Sequence, residues 1–151
     1  EQRKKAAMCI FVVNEELYLD EFVNYHHALG FEKFFIYDSS EGFELKQWGK
    51  LKGNFVDVDV FHFPGGGEQH NKAFIDCGSK AKASQNYEWA AFFDADEYLV
   101  LKQHEHVSDM LEEYCHQGAL VVNWLNFQSN GWNLPVFEPI TRRFVYHMPL
   151  D

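Results

Sequence analysis

This sequence predicts an α/β fold built on a mostly parallel sheet, and three observations lead there. Strand-length apolar runs alternate with helix-period segments from residue 6 to about 127, the layered pattern of α/β proteins. The first two runs, Ala6–Val13 and Lys33–Tyr37, are separated by a single helix-length stretch. They are therefore joined by a crossover and lie parallel. Polar clusters end three of the runs: Asn14-Glu15, Asp38-Ser39 and Asp94-Ala95-Asp96-Glu97. Ligands of parallel sheets sit beyond the carboxyl ends of the strands, so these clusters converge on one edge.

The elements follow in order. Ala6–Val13 is an uninterrupted apolar run, read as a buried strand. Asn14 is the expected N-cap of the next helix, with Glu15 and Glu16 in its first turn. Leu19, Phe22, Val23, His26 and Leu29 recur at helical spacing, and Gly30 ends the helix. After the second strand, Leu45–Leu51 suggests a short helix. Phe55–Phe63 alternates, with Val56, Val58 and Val60 on one side and Asp57 and Asp59 on the other. Pro64-Gly65-Gly66-Gly67 is a break without the Gly-Lys-Ser/Thr ending of a phosphate loop. Gln69–Asn86 reads as a helix with Phe74, Cys77 and Ala81 inward. Ser108 is expected to cap a helix over Asp109–His116, Ala119–Phe127 reads as a further strand, and Ser129-Asn130-Gly131 is a turn. Trp132–Pro139 is irregular, and Ile140–His147 suggests a last strand.

The chemistry concentrates in EWAAFFDADEYLV, residues 88–100. Ala90–Phe93 reads as a strand buried on both faces. In extended backbone, residues i and i+2 point the same way, so Asp94 and Asp96 are expected to converge on one object. Two unit charges roughly 4 Å apart repel by about 4 kcal/mol at an effective dielectric of about 20. A hard divalent cation removes that penalty, and oxygen-only ligation suits Mg²⁺ or Mn²⁺. The second such pair, Asp57-Val58-Asp59, is explained by strand alternation as a solvent face. His104-Glu105-His106 reads as a surface loop. An EF-hand loop is excluded because Leu99 stands where that loop needs Gly.

Composition narrows the function. With 151 residues the chain is one domain, or the larger part of one. A net charge of −10 and the lack of a basic stripe exclude nucleic acid as a partner. The cysteines, Cys9, Cys77 and Cys115, sit among apolar residues with no zinc-type spacing. They read as buried thiols. No run is long enough to span a membrane. The chain ends at Pro149-Leu150-Asp151 without an evident stop, so an incomplete domain is expected.

VVNEELYLDEFVNYHHALGFEKFFIYDSS, Gln69 ahead of Asp76-Cys77, EWAAFFDADEYLV, VVNWLNFQSNG and TRRF together resemble the GT-A glycosyltransferases. Within that group they are most similar to glycosyltransferase family 92 and its family-2-like relatives. The resemblance implies a Rossmann-like αβα sandwich, truncated at its C-terminus. It implies transfer of a hexose, galactose among the choices, from a nucleotide-sugar donor such as a UDP-sugar to a glycan hydroxyl, with inversion. By carry-over, Asn14, Glu15 and Asp38 border the nucleotide, and Gln69 faces the diphosphate or sugar. Asp94 lies towards ribose and metal, and Asp96 is the main ligand of Mn²⁺ or Mg²⁺. Arg142 and Arg143 are candidates for the diphosphate, and Glu97 and Glu138 for the base on the acceptor. His147 is a weaker candidate for a further metal ligand. Family habit implies a Golgi-lumenal setting in a eukaryote, with any membrane anchor outside this segment. The chain departs from its relatives at Gly78, where they usually carry Leu.

Two other readings belong beside this one. A donor-binding domain without transfer activity carries the same residues. A phosphatase of the haloacid dehalogenase type also places such a carboxylate pair at a strand end. It requires Thr or Val where Tyr98 stands, and it usually places that strand first in the chain.

Overall fold

Seven consecutive apolar residues with no turn former make β1 (Ala6–Val12), and every one of them is buried. Ala6, Met8, Ile10 and Val12 face one apolar cluster, and Ala7, Cys9 and Phe11 face another, as the two-residue period of a strand requires. The computed structural model describes residues 5–114, 116, 118–129, 131 and 138–147. They fall into two compact units, Glu1–Cys115 and His116–Asp151.

In the first unit β1 is followed by α1 (Glu16–Ala28), β2 (Lys33–Asp38), α2 (Leu45–Lys52) and β3 (Val58–His62). A 3₁₀ turn at Gly66–Gln69 then leads into α3 (His70–Ser84), β4 (Trp89–Asp94) and α4 (Val107–Glu113). The sheet order is β3-β2-β1-β4, and all pairs are parallel. Residues of α1, α2 and α4 (Leu19, Phe22, Leu45, Val107) pack on one face, and α3 packs on the other through Ala73, Cys77 and Ala81. The expected αβα layering is present. The chain extends the sheet from β1 through β2 to β3, then crosses to the opposite side of β1 to form β4. That reversal makes the carboxyl ends of β1 and β4 a topological switch point, where open α/β sheets bind ligands.

Helix α1 stops as expected. Gly30 has φ +104°, and its N–H bonds the His27 carbonyl while that of Phe31 bonds the His26 carbonyl, a Schellman cap. A Cβ at Gly30 would lie 2.0 Å from the His106 ring, so close packing as well as conformation requires glycine here.

Several expectations are corrected. The residue before α1 is Glu15, and Asn14 instead takes φ +56° at the turn out of β1, a conformation Asn tolerates better than most residues. The cap of α4 is His106, whose side chain accepts the Ser108 N–H. The fully buried strands are β1 and β2, whereas β4 is only half-buried, with Phe92 45% exposed. The reason is position: β4 has one neighbour, β1, among the described residues. On α3, Ala73 rather than Phe74 is the fully buried residue of the first turns, and Phe74 packs only partly against the core. Cys9 and Cys77 are buried but are joined in a disulfide, because β1 and α3 bring together residues far apart in sequence. Cys115 lies outside the described residues.

In the second unit Ala119–Phe127 forms no strand beyond a single antiparallel bridge between Phe127 and His147. Val121 and Trp124 are 88% and 76% exposed. Strand propensity alone forms nothing without a ladder partner. Ile140–His147 begins as a helical turn, α5 (Ile140–Arg143). Pro139 presets its entry, and its carbonyl accepts the N–H groups of Arg142 and Arg143. Of the Ser129–Gly131 turn, Asn130 lies outside the described residues, as do 132–137 of the irregular segment.

Two residues of one turn of α3 fasten it to two neighbouring strands. Asp76 accepts a 2.6 Å bond from the Tyr37 hydroxyl of β2 and pairs with Lys80. Lys80 and then Tyr37 hold the Asp76 carboxyl below its usual range. Cys77 is bonded to Cys9 of β1. Gly78 leaves room for the Phe92 ring, whose Cζ would lie 3.4 Å from a Cβ there.

His26 ties α1 to the segment after β4. Its Nδ1 bonds the Phe22 carbonyl at 2.9 Å, and its Nε2 accepts the Leu99 N–H at 3.2 Å. Burial pushes its pKa from 6.5 down to about 4, against the opposing Phe22 hydrogen bond. Between those values the unfolded chain takes up a proton that the folded chain refuses. Its contribution is therefore complete above the unfolded pKa and falls as pH drops towards the folded one. We expect urea unfolding to show a loss of about 2.5 kcal/mol from this group between pH 7.5 and 4.5, a loss that His26→Gln lacks. Equal losses in both proteins would refute this role.

Candidate functional site

Strand register aligns the polar ends. Val12 pairs with Asp38, and Phe11 pairs with Asp94. The turns beyond them are tied together. The Asn14 N–H reaches Ser40 Oγ at 3.4 Å, the Ser39 hydroxyl bonds the Gly66 carbonyl at 3.2 Å, and His62 Nε2 lies 3.1 Å from the Ser40 carbonyl.

Asp38 is fully buried, and its two oxygens accept the N–H groups of Ser40 and Leu45, each at 3.0 Å. Its carboxylate thus shapes the loop and holds the start of α2. A ligand contact from that side chain would require those bonds to break. Asn14 is exposed and Glu15 half-buried.

Extended geometry ends at Asp94. Ala95 and Asp96 form a turn, closed by the Glu97 N–H bonding the Asp94 carbonyl at 3.1 Å. The Glu97 carboxylate accepts the Asp94 N–H at 3.0 Å. Asp94 and Asp96 therefore do not stand as alternate residues of one extended strand, contrary to expectation. What brings the acids together is the turn and the approach of the β1 loop. Glu15 is raised above its usual pKa by burial, against a hydrogen bond from the Val13 N–H, and further by the charges of Asp96 and Asp94. Glu97 is likewise raised by burial, against the Asp94 N–H bond, and by the charges of Asp94 and Asp96.

His70, at the start of α3, escaped the sequence reading. Its Nε2 lies 2.9 Å from Asp94 Oδ1. No local motif announces this contact, because it depends on α3 crossing the sheet face. Gln69 precedes it and accepts a 3.2 Å bond from Lys72. Gly65, at φ +122°, leaves space that the Gln69 side chain overlies.

The other candidates are carried by other segments of the chain. Glu138 is exposed just before α5, and Arg143 on α5 lies with its guanidinium over the Phe144 ring at 4.4 Å. Both, with Arg142 and His147, belong to the second unit. His104 pairs with Glu113, and His106 bonds Ser108. Asp57 and Asp59 both pair with Lys33, at 2.5 and 2.9 Å, near the amino ends of β2 and β3. As both acids are more than half exposed, Asp57→Ala is expected to change stability by no more than about 1 kcal/mol and nucleotide binding not at all. Loss of binding in a folded Asp57→Ala protein would move the site to this end of the sheet.

Among the described residues, no three acidic, His or Cys side chains form a ready-made metal cage. The set at the β4 turn is nonetheless all oxygen, and Mg²⁺-type ions are commonly held by one or two carboxylates plus substrate phosphates. An ion arriving with a phosphorylated ligand fits these residues.

Residues 4–133 match the family profile of glycosyltransferase family 92. The chain belongs to that family. A family 92 protein of rice, Oryza sativa subsp. japonica, is 29% identical over 117 residues, covering 75% of this chain and 19% of its own length. One from Arabidopsis thaliana is 30% identical over 104 residues, covering 68% and 17%. Another from Ricinus communis is 29% identical over 106, covering 70% and 18%. This family 92 chain thus spans about a fifth of the length of the curated relatives it matches. Among its described residues, no helix is long and apolar enough to cross a membrane.

Proposed function

We propose that this chain forms the donor-binding part of a glycosyltransferase that moves a sugar from a UDP-sugar to a glycan hydroxyl, with inversion. A hexose, galactose first, is the sugar to test. The observation that carries the reading is the gathering of Glu15, Asp94, Asp96 and Glu97 at the switch point, where burial first, and then the charges of Asp94 and Asp96, raise Glu15 and Glu97. A site of this sign rejects a diphosphate unless a cation accompanies it. Asp94 and Asp96 are the residues to hold Mn²⁺ or Mg²⁺, which when bound neutralises the charge developing on the diphosphate leaving group.

The roles assigned to the chain's own residues are those that the family resemblance implies. Asp38, through its loop, and the exposed Asn14 border the nucleotide. Gln69, beside the glycine segment, meets the diphosphate or sugar. Glu97 is the base candidate of the first unit. Its raised pKa lies in the direction that makes a carboxylate a better proton acceptor. A buried disulfide suits an oxidising compartment, which agrees with a Golgi-lumenal setting.

Thermal melts with a nucleotide panel, with and without Mn²⁺, test the reading. UDP at 100 times its dissociation constant should add about 2.7 kcal/mol, and only with metal. No stabilisation by any nucleotide, or stabilisation indifferent to metal, would sink it. Binding without transfer to any glycan would leave a donor-binding module.

A further inference from the structure

We propose that His70 is a positioning residue that holds the Asp94 carboxylate in its ion-binding orientation, an inference that rests on the donor-site reading above. An ionised carboxylate only accepts, so the 2.9 Å contact is a bond donated by His70 Nε2–H to Asp94 Oδ1. Among the described residues, Oδ1 is the Asp94 carboxylate oxygen that is engaged, which leaves Oδ2 for an ion. Carboxylates that ligate metal ions are commonly fixed by such outer hydrogen bonds.

The imidazole is itself held. It meets the Phe11 ring edge-on, with centroids 5.1 Å apart and planes at 88°, and it lies 4.3 Å from the Phe74 ring. Phe11 is the β1 residue paired with Asp94 in the sheet. The donor and its acceptor are thus braced by the same rung of β1.

The helix carrying His70 is fixed as well. Cys77 lies seven residues along α3, two helical turns on and on the same face, and is bonded to Cys9. Phe74 in turn contacts Phe92 of β4 at 5.3 Å. From β1 through α3 to β4, every link sets the distance between His70 and Asp94. An Asp94 carboxylate without this bond would be a solvated side chain free to rotate, at a turn that already crowds like charges.

The test is calorimetric titration of UDP into this chain at a series of Mn²⁺ concentrations. The wild type is compared with His70→Phe, which keeps the ring between Phe11 and Phe74, and His70→Gln, which can still donate a hydrogen bond. We expect His70→Phe to raise the half-saturating Mn²⁺ concentration by about 10- to 100-fold. UDP affinity at saturating Mn²⁺ and the melting temperature should stay unchanged, and His70→Gln should recover most of the loss. An unchanged Mn²⁺ requirement in His70→Phe overturns the proposal. So does a loss that persists at saturating Mn²⁺, because His70 would then act on the nucleotide directly. If the wild type binds no UDP with Mn²⁺, the donor-site reading fails, and this inference fails with it.

Discussion

Breaking the Cys9–Cys77 bridge is expected to lower stability by about 4 kcal/mol, since it closes a loop with a sequence separation of 68 residues. For a chain of this size that corresponds to a melting temperature about 8–16 °C lower. Cys9→Ala/Cys77→Ala and the single Cys9→Ala variant should fall by similar amounts, because either removes the bond. Both sulfurs are fully buried, so a reductant acts only when the fold opens, and the mutants give the cleaner measurement. Alkylation under denaturing conditions, with and without prior reduction, counts the thiols directly. If Cys9 and Cys77 are alkylated without reduction and reductant leaves the melt unchanged, the bridge is absent and α3 is held by packing alone. The same loss should weaken nucleotide binding, because α3 carries Gln69 and His70 to the edge of the sheet.

This bridge marks a boundary of what the residues reveal on their own. β1, β2 and α1 were legible because their signals are local: an unbroken apolar run, helical spacing, and a glycine where only positive φ closes the cap. That the polar strand ends share one edge of the sheet was legible for the same reason, since each strand announces its own polar end. Pairings formed by the fold were not. Cys9 finds Cys77, and Asp94 finds His70, only because α3 crosses to the second face of the sheet. The half-burial of β4 was hidden too, since EWAAFF reads the same on a central strand as on one with a single neighbour. Asp38 shows the complementary limit. Its place at a strand end was evident, but its capture by two backbone N–H groups depends on the loop leading into α2. In the segment 119–127, strong strand propensity misled because no ladder partner is present among the described residues.

Asp96→Ala is the substitution expected to remove metal-dependent donor binding while leaving the fold intact. Asp96 is exposed on the turn after β4, and neither its backbone nor its neighbours depend on a bond from its side chain in the way Asp94 and Glu97 depend on theirs. Ala95 beside it is 2% exposed and keeps the turn seated. Removing the Asp96 charge also relieves Glu15 and Glu97, both of which it raises. Stability without ligand should therefore be unchanged or slightly higher, as for a typical surface substitution within about 0.5 kcal/mol. UDP affinity in the presence of Mn²⁺ should fall by about 100-fold or more, equivalent to about 2.7 kcal/mol. The opposing signs make the experiment decisive: a group present only for the fold cannot leave stability intact while its loss removes binding. Calorimetry of UDP with Mn²⁺ beside a ligand-free melt reads both. Unchanged metal-dependent binding in Asp96→Ala would place the ion elsewhere and turn the search to Glu15 and Glu97, the remaining acids of the cluster.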